Sequence, residues 1–490
     1  MEGTNDGISN GDVEKKMKRL KLCLKDFNKK FYAGIFFRVK MKREDFEELQ
    51  KEILNGGTGD GLIERERDLS RELQELMLAE ESLFKQKSRI QWLQEGDQNT
   101  KFFHGVMAAR QNRNTIRSLT DSDGNKLTEH SQISNEAINF FQHLIGTKDE
   151  QVRGCSKDLL AEILPGSMSN EAGHELIRPV TPEEVKASMF AIDGGKSPGP
   201  DGYTSLFFKA AWPVVGDDVV RAVLSFFQTG NLTPTFNSTI IALVPKCCNP
   251  NSIKEFRPIS CCTVIYKCIT KIIAVRLKKI LPGIINCNQS AFIPGRSITE
   301  NILLAQELVR GYGRSSLSPK CALKVELQKM FDTLDWSFIL DTLEVLKIPH
   351  QFVNWIRSCV TGARFSISIN GGLVGYFKGS RGVRQGDPLS PYLFVIAMNV
   401  LSKLLDIAAS HGVFNFHPKC KKIRMTHLCF ADDLLIFAKG NLESLVGIQN
   451  VLKKFYSFFG LKLNCDKSEI FYTGISKELI GRSNKKQASR

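Results

Sequence analysis

Asp432 and Asp433 stand side by side in Leu428-Cys429-Phe430-Ala431-Asp432-Asp433-Leu434-Leu435-Ile436-Phe437, with apolar, strand-favouring residues on both flanks. Asp disfavours strands and favours turns, so the pattern predicts a tight β-hairpin with Asp432-Asp433 at its tip. Adjacent carboxylates repel, and partial burial makes that repulsion costly unless a cation offsets it. A divalent metal is the natural counter-charge, and hard Mg²⁺ prefers carboxylate oxygen. Taken alone, the pair reads first as a solvated acidic turn.

Other candidates lie on elements that would have to bring them together. Ala322-Leu323-Lys324-Val325-Glu326-Leu327 alternates as a strand and puts Glu326 near its end. Ile240 to Val244 reads as a short strand closed by Pro245-Lys246, and Arg257-Pro258-Ile259-Ser260 follows. Lys246 and Arg257 could clamp a triphosphate, Arg in bidentate fashion and Lys as a point charge; the bland reading is two surface cations. Arg384-Gln385-Gly386-Asp387-Pro388-Leu389-Ser390-Pro391 is a tight loop opening an apolar helix to about residue 408. Phe365 to Gly372 alternates strictly and ends on Asn370-Gly371, a hairpin signal. Lys196-Ser197-Pro198-Gly199-Pro200-Asp201-Gly202 is a rigid turn carrying one cation. A further helix near 443–459 leads to Gly460-Leu461-Lys462-Leu463 and Lys467, read as a strand.

The chain has 490 residues, enough for several domains, and 42% hydrophobic content, enough for sizeable cores. A formal charge of +15 points to a polyanionic partner, nucleic acid ahead of an anionic membrane. Neither a bilayer-spanning apolar run nor a secretory signal is evident, which implies the cytoplasm, the nucleus or both. The 13 cysteines are odd in number, lack any Cys-x-x-Cys spacing and read as reduced thiols. His417 and Cys420 offer two metal ligands, but nothing nearby completes four, so the segment reads as a loop.

Toward the N-terminus, Lys15, Lys16, Lys18, Arg19, Lys21, Lys25, Lys29, Lys30, Arg38, Lys40, Lys42 and Arg43 form a basic stretch with Leu20, Leu24 and Phe27 at helical spacing. It is either a solvated helix face or a nucleic-acid contact. After a Gly-rich loop at 55–61, Leu69, Leu73, Leu76 and Leu83 form a heptad-like stripe, expected in a helical hairpin or short coiled coil. Gln91 to His104 mixes turn residues and aromatics, and residues 147–175 read as a linker. Thr181-Pro182-Glu183-Glu184 starts a helix.

A strand-borne acid, a Gln-Gly loop before a helix, an Asp-Asp hairpin and a late lysine follow one another in the order of a nucleotidyl-transferase palm. With the stretches Trp92–His104, Lys196–Gly202, Phe256–Ser260, Asn288–Arg296, Arg384–Pro391 and Phe430–Asp433, the sequence resembles reverse transcriptases of plant LINE-type (non-LTR) retrotransposons. The likeness runs over about residues 85–474. It implies an α+β right-hand polymerase: fingers and palm, an antiparallel sheet packed on helices, with a helical N-terminal extension. The corresponding divisions are an extension and linker over 1–150, a fingers-associated segment over 175–225, fingers and palm over 226–480, and a polar tail over 481–490.

The activity so implied is RNA-directed DNA synthesis by two-metal phosphoryl transfer, using two Mg²⁺ ions with Mn²⁺ as the alternative. The partners implied are an RNA template, a DNA primer and dNTPs, with no membrane. By position in the motifs, Glu326, Asp432 and Asp433 are the implied metal ligands and Lys467 the proton donor to pyrophosphate. Lys246 and Arg257 would hold the triphosphate, Phe331 would exclude a 2′-hydroxyl, and Gln385 would brace the nascent pair. Two departures stand out. Glu326 replaces the family's Asp, and Met330 replaces a small Ala beside the sugar gate. Together with the segments that do not follow, they imply a truncated, impaired copy, or a silent remnant that still binds RNA. A group II intron-type maturase would need further segments beyond residue 480.

Overall fold

The computed structural model describes residues 10–56, 60–88, 100–166, 168–312 and 318–474. Among the described residues ten strands form three sheets. A small hairpin joins β1 (Leu119–Thr120) to β2 (Lys126–Leu127). The two larger sheets share β3 (Ser238–Pro245), β4 (Phe256–Cys262), β5 (Lys320–Val325), β6 (Arg364–Ile369), β7 (Gly372–Lys378), β8 (His427–Phe430), β9 (Asp433–Lys439) and β10 (Glu469–Thr473).

One sheet has the order β10-β5-β9-β8 and is antiparallel throughout, as the α+β reading requires. Its side chains split by the two-residue period of a strand. Cys321, Leu323 and Val325 of β5 and Leu434, Ile436 and Ala438 of β9 enter the main core. Ala322 and Phe437 face a smaller cluster with Leu308, Cys420, Met425 and Leu428. Beneath the main-core face run helices Ser390–Ser410 and Leu442–Phe459. The first is long and apolar enough to cross a membrane, contrary to the expectation of no such run, but 78% of its apolar window is buried inside the fold. Val395, Val400 and Leu405 spend that apolarity on the core.

The other sheet has the order β4-β3-β6-β7, with β3 and β6 parallel and the remaining pairs antiparallel. The β6–β7 turn uses Asn370 at φ 49° and Gly371 at φ 87°, the two left-handed positions that a tight Asn-Gly hairpin demands. Helix His130–Gly146 lies against this sheet, with Ile133, Ala137, Phe141 and Leu144 on Ile241, Phe365 and Ile367. Residues 116–146 are therefore built into the second sheet's core, and a boundary at 150 does not mark an edge of packing. The 147–175 stretch is likewise no open linker: helices Lys157–Ile163 and Asn170–Ile177 put Leu160, Ile163 and Leu176 into the main core. Ser156 and Ser169 cap those helices, which mimics linker composition.

Helices Ile35–Leu54 and Asp60–Ser88 form the helical hairpin, with the Phe36 and Phe84 rings 4.7 Å apart. Most of the Gln91–His104 stretch, the centre of the 55–61 loop and the 481–490 tail lie outside the described residues.

Candidate active site

The β8–β9 register pairs Phe430 with Asp433, so the turn proper is Ala431-Asp432 and Asp433 opens β9. This shifts the expected tip by one residue. Ala431 sits at φ 55°, a conformation that an L-residue holds only when its surroundings impose it. The imposing group is Gln289, which is buried. Its Oε1 accepts from the Ala431 N–H at 3.1 Å and from the Ala291 N–H at 2.9 Å. Its Nε2 donates to Cys429 Sγ at 3.1 Å and to the Ala431 carbonyl at 3.5 Å. Asn288–Ser290 also runs beside β8: the Cys429 N–H donates to the Asn288 carbonyl at 2.9 Å, and the Ser290 N–H to the Cys429 carbonyl at 3.0 Å. Sequence reading quoted this segment as a motif and missed its role. The only available signal was an amide side chain beside the apolar run Ala291-Phe292-Ile293, and its partner lies 142 residues away.

The carboxylates meet at the same end of the sheet. Val325 pairs with Leu434, so one further step sets Glu326 across from Asp433. The Asp432 carboxyl titrates above its usual range, chiefly because burial strips its water and further because Asp433 and Glu326 add negative field; Arg257 opposes them. Glu326 lies just beyond β5 and accepts from Lys467 Nζ at 3.0 Å. Lys467 belongs to a 3₁₀ turn, Cys465–Lys467, not to the strand expected. Backbone bonds hold that turn in place: the Asn464 N–H donates to the Glu326 carbonyl at 2.8 Å and the Gln328 N–H to the Lys462 carbonyl at 2.8 Å. With Lys467 64% and Glu326 35% exposed, the pair is worth at most ~1 kcal/mol and yields readily to a stronger cation.

This donor set fits a hard divalent ion. Every donor is a carboxylate oxygen, the ligand type that such an ion prefers, and Asp433 and Glu326 both add negative field at Asp432. Among the described residues, no three His, Cys, Asp or Glu side chains converge as a ready-made cage.

The cations expected to hold a triphosphate are brought to the same place. Lys246 follows β3 directly, and Arg257 pairs with Val244 across the β3–β4 ladder. Burial, with Lys467 and Arg257 nearby, pushes the Lys246 ammonium below its usual range, while its Nζ donates to the Lys254 carbonyl at 2.8 Å. Phe331 lies in the short helix Met330–Thr333, its ring 5.2 Å from Phe394, and Met330 packs on the same core.

Gln385 is fixed through its backbone, whose carbonyl accepts from the Ser260 N–H of β4 at 2.8 Å. Its charged neighbours are anchors. Arg384 is buried, donates to the Asn237 carbonyl at 2.8 Å and the Cys359 carbonyl at 3.2 Å, and lies 4.3 Å from the Tyr266 ring. Asp387 is buried and accepts from Thr270 Oγ1 at 2.6 Å and Ser390 Oγ at 3.3 Å. A second unforeseen pair sits beside Phe331. Desolvation pushes Asp332 up to about 7, and Lys329 down to about 8. Part of Asp332 reaches the surface, and the cations acting on its carboxyl are Lys329 and Lys246. Gly382 is required there, since a Cβ would lie 2.5 Å from the Asp332 carbonyl oxygen.

Residues 245–488, which hold every one of these groups, match the family model for reverse transcriptase (RNA-dependent DNA polymerase). The chain carries a reverse transcriptase domain. Its relatives place it with non-LTR retrotransposons. It is 29% identical over 391 residues to the uncharacterized 149 kDa protein of transposon TX1 from Xenopus laevis, covering 80% of this chain and 29% of that protein. It is 30% identical over 320 residues to the Pol polyprotein of retrotransposable element R2DM from Drosophila melanogaster, covering 64% of this chain and 28% of that protein. An uncharacterized mitochondrial protein of Arabidopsis thaliana is 48% identical over 71 residues, 13% of this chain and 54% of its own length. The chain thus spans under a third of the length of these first two relatives.

Proposed function

We propose that this chain extends a primer 3′-hydroxyl with deoxynucleotides on an RNA template, releasing pyrophosphate. The observation that carries the proposal is that Glu326, Asp432 and Asp433 lie at one end of the antiparallel sheet, with Lys467 bonded to Glu326 and with Arg257 and Lys246 of the other sheet near enough to add their charge. Asp432, Asp433 and Glu326 would hold two Mg²⁺ ions, or Mn²⁺, which supply charge stabilisation at the phosphate and an acidified 3′-hydroxyl. Lys246 and Arg257 neutralise the triphosphate and orient it toward the carboxylates. Phe331, wedged against Phe394, closes the space beside the sugar, and Gln385 holds the templated pair against β4. Lys467 gives its proton to the departing pyrophosphate once it has left Glu326.

In this reading fingers and palm occupy 226–480 with 175–225 feeding the fingers, and a polynucleotide substrate puts the work in the cytoplasm, the nucleus or both. The short, highly similar Arabidopsis match favours a plant lineage. The Glu326–Lys467 pair also favours a second reading, a slow or silent polymerase that still binds RNA, because it engages a metal ligand and a proton donor at once. Primer extension with the purified full chain, a primed RNA template, dNTPs and Mg²⁺ decides between them. Template-dependent extension that Asp432→Asn abolishes is expected; RNA binding without any extension overturns the polymerase reading for this chain.

A further inference from the structure

We propose that helices Asn10–Phe31 and Ile35–Leu54 carry a second nucleic-acid surface, shaped for a single-stranded polynucleotide and separate from the polymerase site. Residues 13–43 contain twelve Lys and Arg against Glu14 and Asp26, so +10 of the chain's +15 is concentrated there. Half of the first helix is spent on docking. Val13 and Met17 enter the main core, Lys16 pairs with Asp218 at 2.8 Å, and the Tyr203 hydroxyl donates to the Met17 carbonyl at 2.8 Å. From Leu22 to Phe31 every residue is exposed.

That free half has the composition of a strand-binding ledge. Phe27, Phe31 and Tyr32 are 50%, 45% and 44% exposed, with the Phe27 ring 4.8 Å from Phe31 and 5.8 Å from Tyr32. Arg38 fixes the rings by donating to the Phe31 and Lys30 carbonyls. Arg19, Lys25 and Lys29 flank them on the exposed surface. Exposed rings set among cations stack unpaired bases while the cations track phosphates. Beside them, a cleft of about 280 Å³ is lined by Lys21, Lys25, Asn28, Asp201, Tyr203 and Phe207. It offers one base an aromatic wall with polar groups at its rim, and it gives the Lys196–Gly202 turn a role that the polymerase chemistry leaves open.

An anionic membrane fits less well. The Val13–Met17 stripe is already covered, and the exposed Phe27, Phe31 and Tyr32 rings pack on one another between Lys25, Lys29 and Lys30. The ledge also lies away from the catalytic end. Gly199 abuts Thr263 at one end of β4, whereas Arg257 is near the other, ~20 Å along the strand. Binding there requires neither metal nor dNTP, so it stands or falls independently of polymerase activity.

The test uses the full chain, a labelled single-stranded RNA, a duplex of equal length and vesicles of phosphatidylcholine with phosphatidylserine, without metal or dNTP. Replacing Arg19, Lys25 and Lys29 together by Ser should weaken single-strand binding ~10- to 100-fold at physiological salt and reduce the salt slope by about 2. Phe27→Ala with Phe31→Ala should weaken it about tenfold or more while leaving the slope unchanged. Duplex should bind more weakly, and Lys421→Ser with Lys422→Ser, exposed cations elsewhere, should change little. Circular dichroism melts establish that each variant is folded. The proposal is overturned if folded triple and ring variants bind like the parent, if the Lys421/Lys422 control loses as much, or if vesicles bind this surface in preference to RNA.

Discussion

Arg384 and Asp387 are buried with Gln385 half-exposed between them, whereas Glu326 and Asp432 are half-exposed and Asp433 is exposed. The first loop holds its charges inside the fold: Arg384 on carbonyls and an aromatic ring, with only its Nε left without a partner, and Asp387 on two hydroxyls. In the second cluster Asp432 feels the negative field of Asp433 and Glu326, and Glu326 has an exposed pair with Lys467. Charged residues in one motif can hold the fold, and those in another can wait for a ligand. Removing them should therefore have opposite consequences.

The largest contrast is in stability. Arg384→Ala leaves Asp387 buried without its nearby cation and should cost ~3–5 kcal/mol in urea denaturation. Asp432→Asn should leave stability unchanged or slightly higher, because it relieves repulsion, while abolishing primer extension. A matching loss of stability for Asp432→Asn would erase the distinction.

Gln289→Leu probes the border between the two kinds of residue, since Gln289 touches no substrate but imposes the left-handed Ala431. Losing its bonds inside the core should cost ~1–3 kcal/mol. The maximal extension rate should fall while the KM for dNTP stays near the parent's; an equal loss through KM alone would mean that Gln289 does not position the carboxylate turn.

The smallest effect is a pH dependence. Asp332 titrates at about 7 in the folded chain against 3.8 unfolded, so the folded state binds more protons between those values. Stability contributed by its neutral form is present below about pH 4 and is lost as pH rises toward 7; because Asp332 is partly exposed, the whole loss is expected to be about 1 kcal/mol or less. Asp332→Asn should remove that component from a series of melts taken between pH 4 and 8. A profile identical to the parent's would show that the Asp332 carboxyl is solvated.

Much of this was legible in the sequence because it rests on local physics. The Asn370-Gly371 turn, the helix start at Thr181-Pro182 and the alternating β5 are set by backbone preference and side-chain period. Order and type singled out the carboxylates and the cations Lys246 and Arg257, and the two large sheets bring their ends near one another. What stayed hidden depends on distant contacts. Nothing near Gln289 shows that it bonds Ala431, and nothing in Arg384-Gln385-Gly386-Asp387 shows which side chains turn inward. The 147–175 stretch misled for a related reason, since its serines cap helices whose leucines reach the main core. Lys467 was placed on a strand because apolar alternation before it resembles one, but the chain turns back to bond Glu326 and Gln328.

The central claim is that the polymerase end of the sheet is assembled, with Glu326 its weak point. The direct measurement compares the single-turnover extension rate of Glu326→Asp with that of the parent at saturating Mg²⁺ and dNTP. Shortening the side chain by one methylene draws the carboxylate away from Lys467 and back toward Asp433. A rise of ~10- to 100-fold is expected. An unchanged or lower rate, from a variant as stable as the parent, would contradict the account.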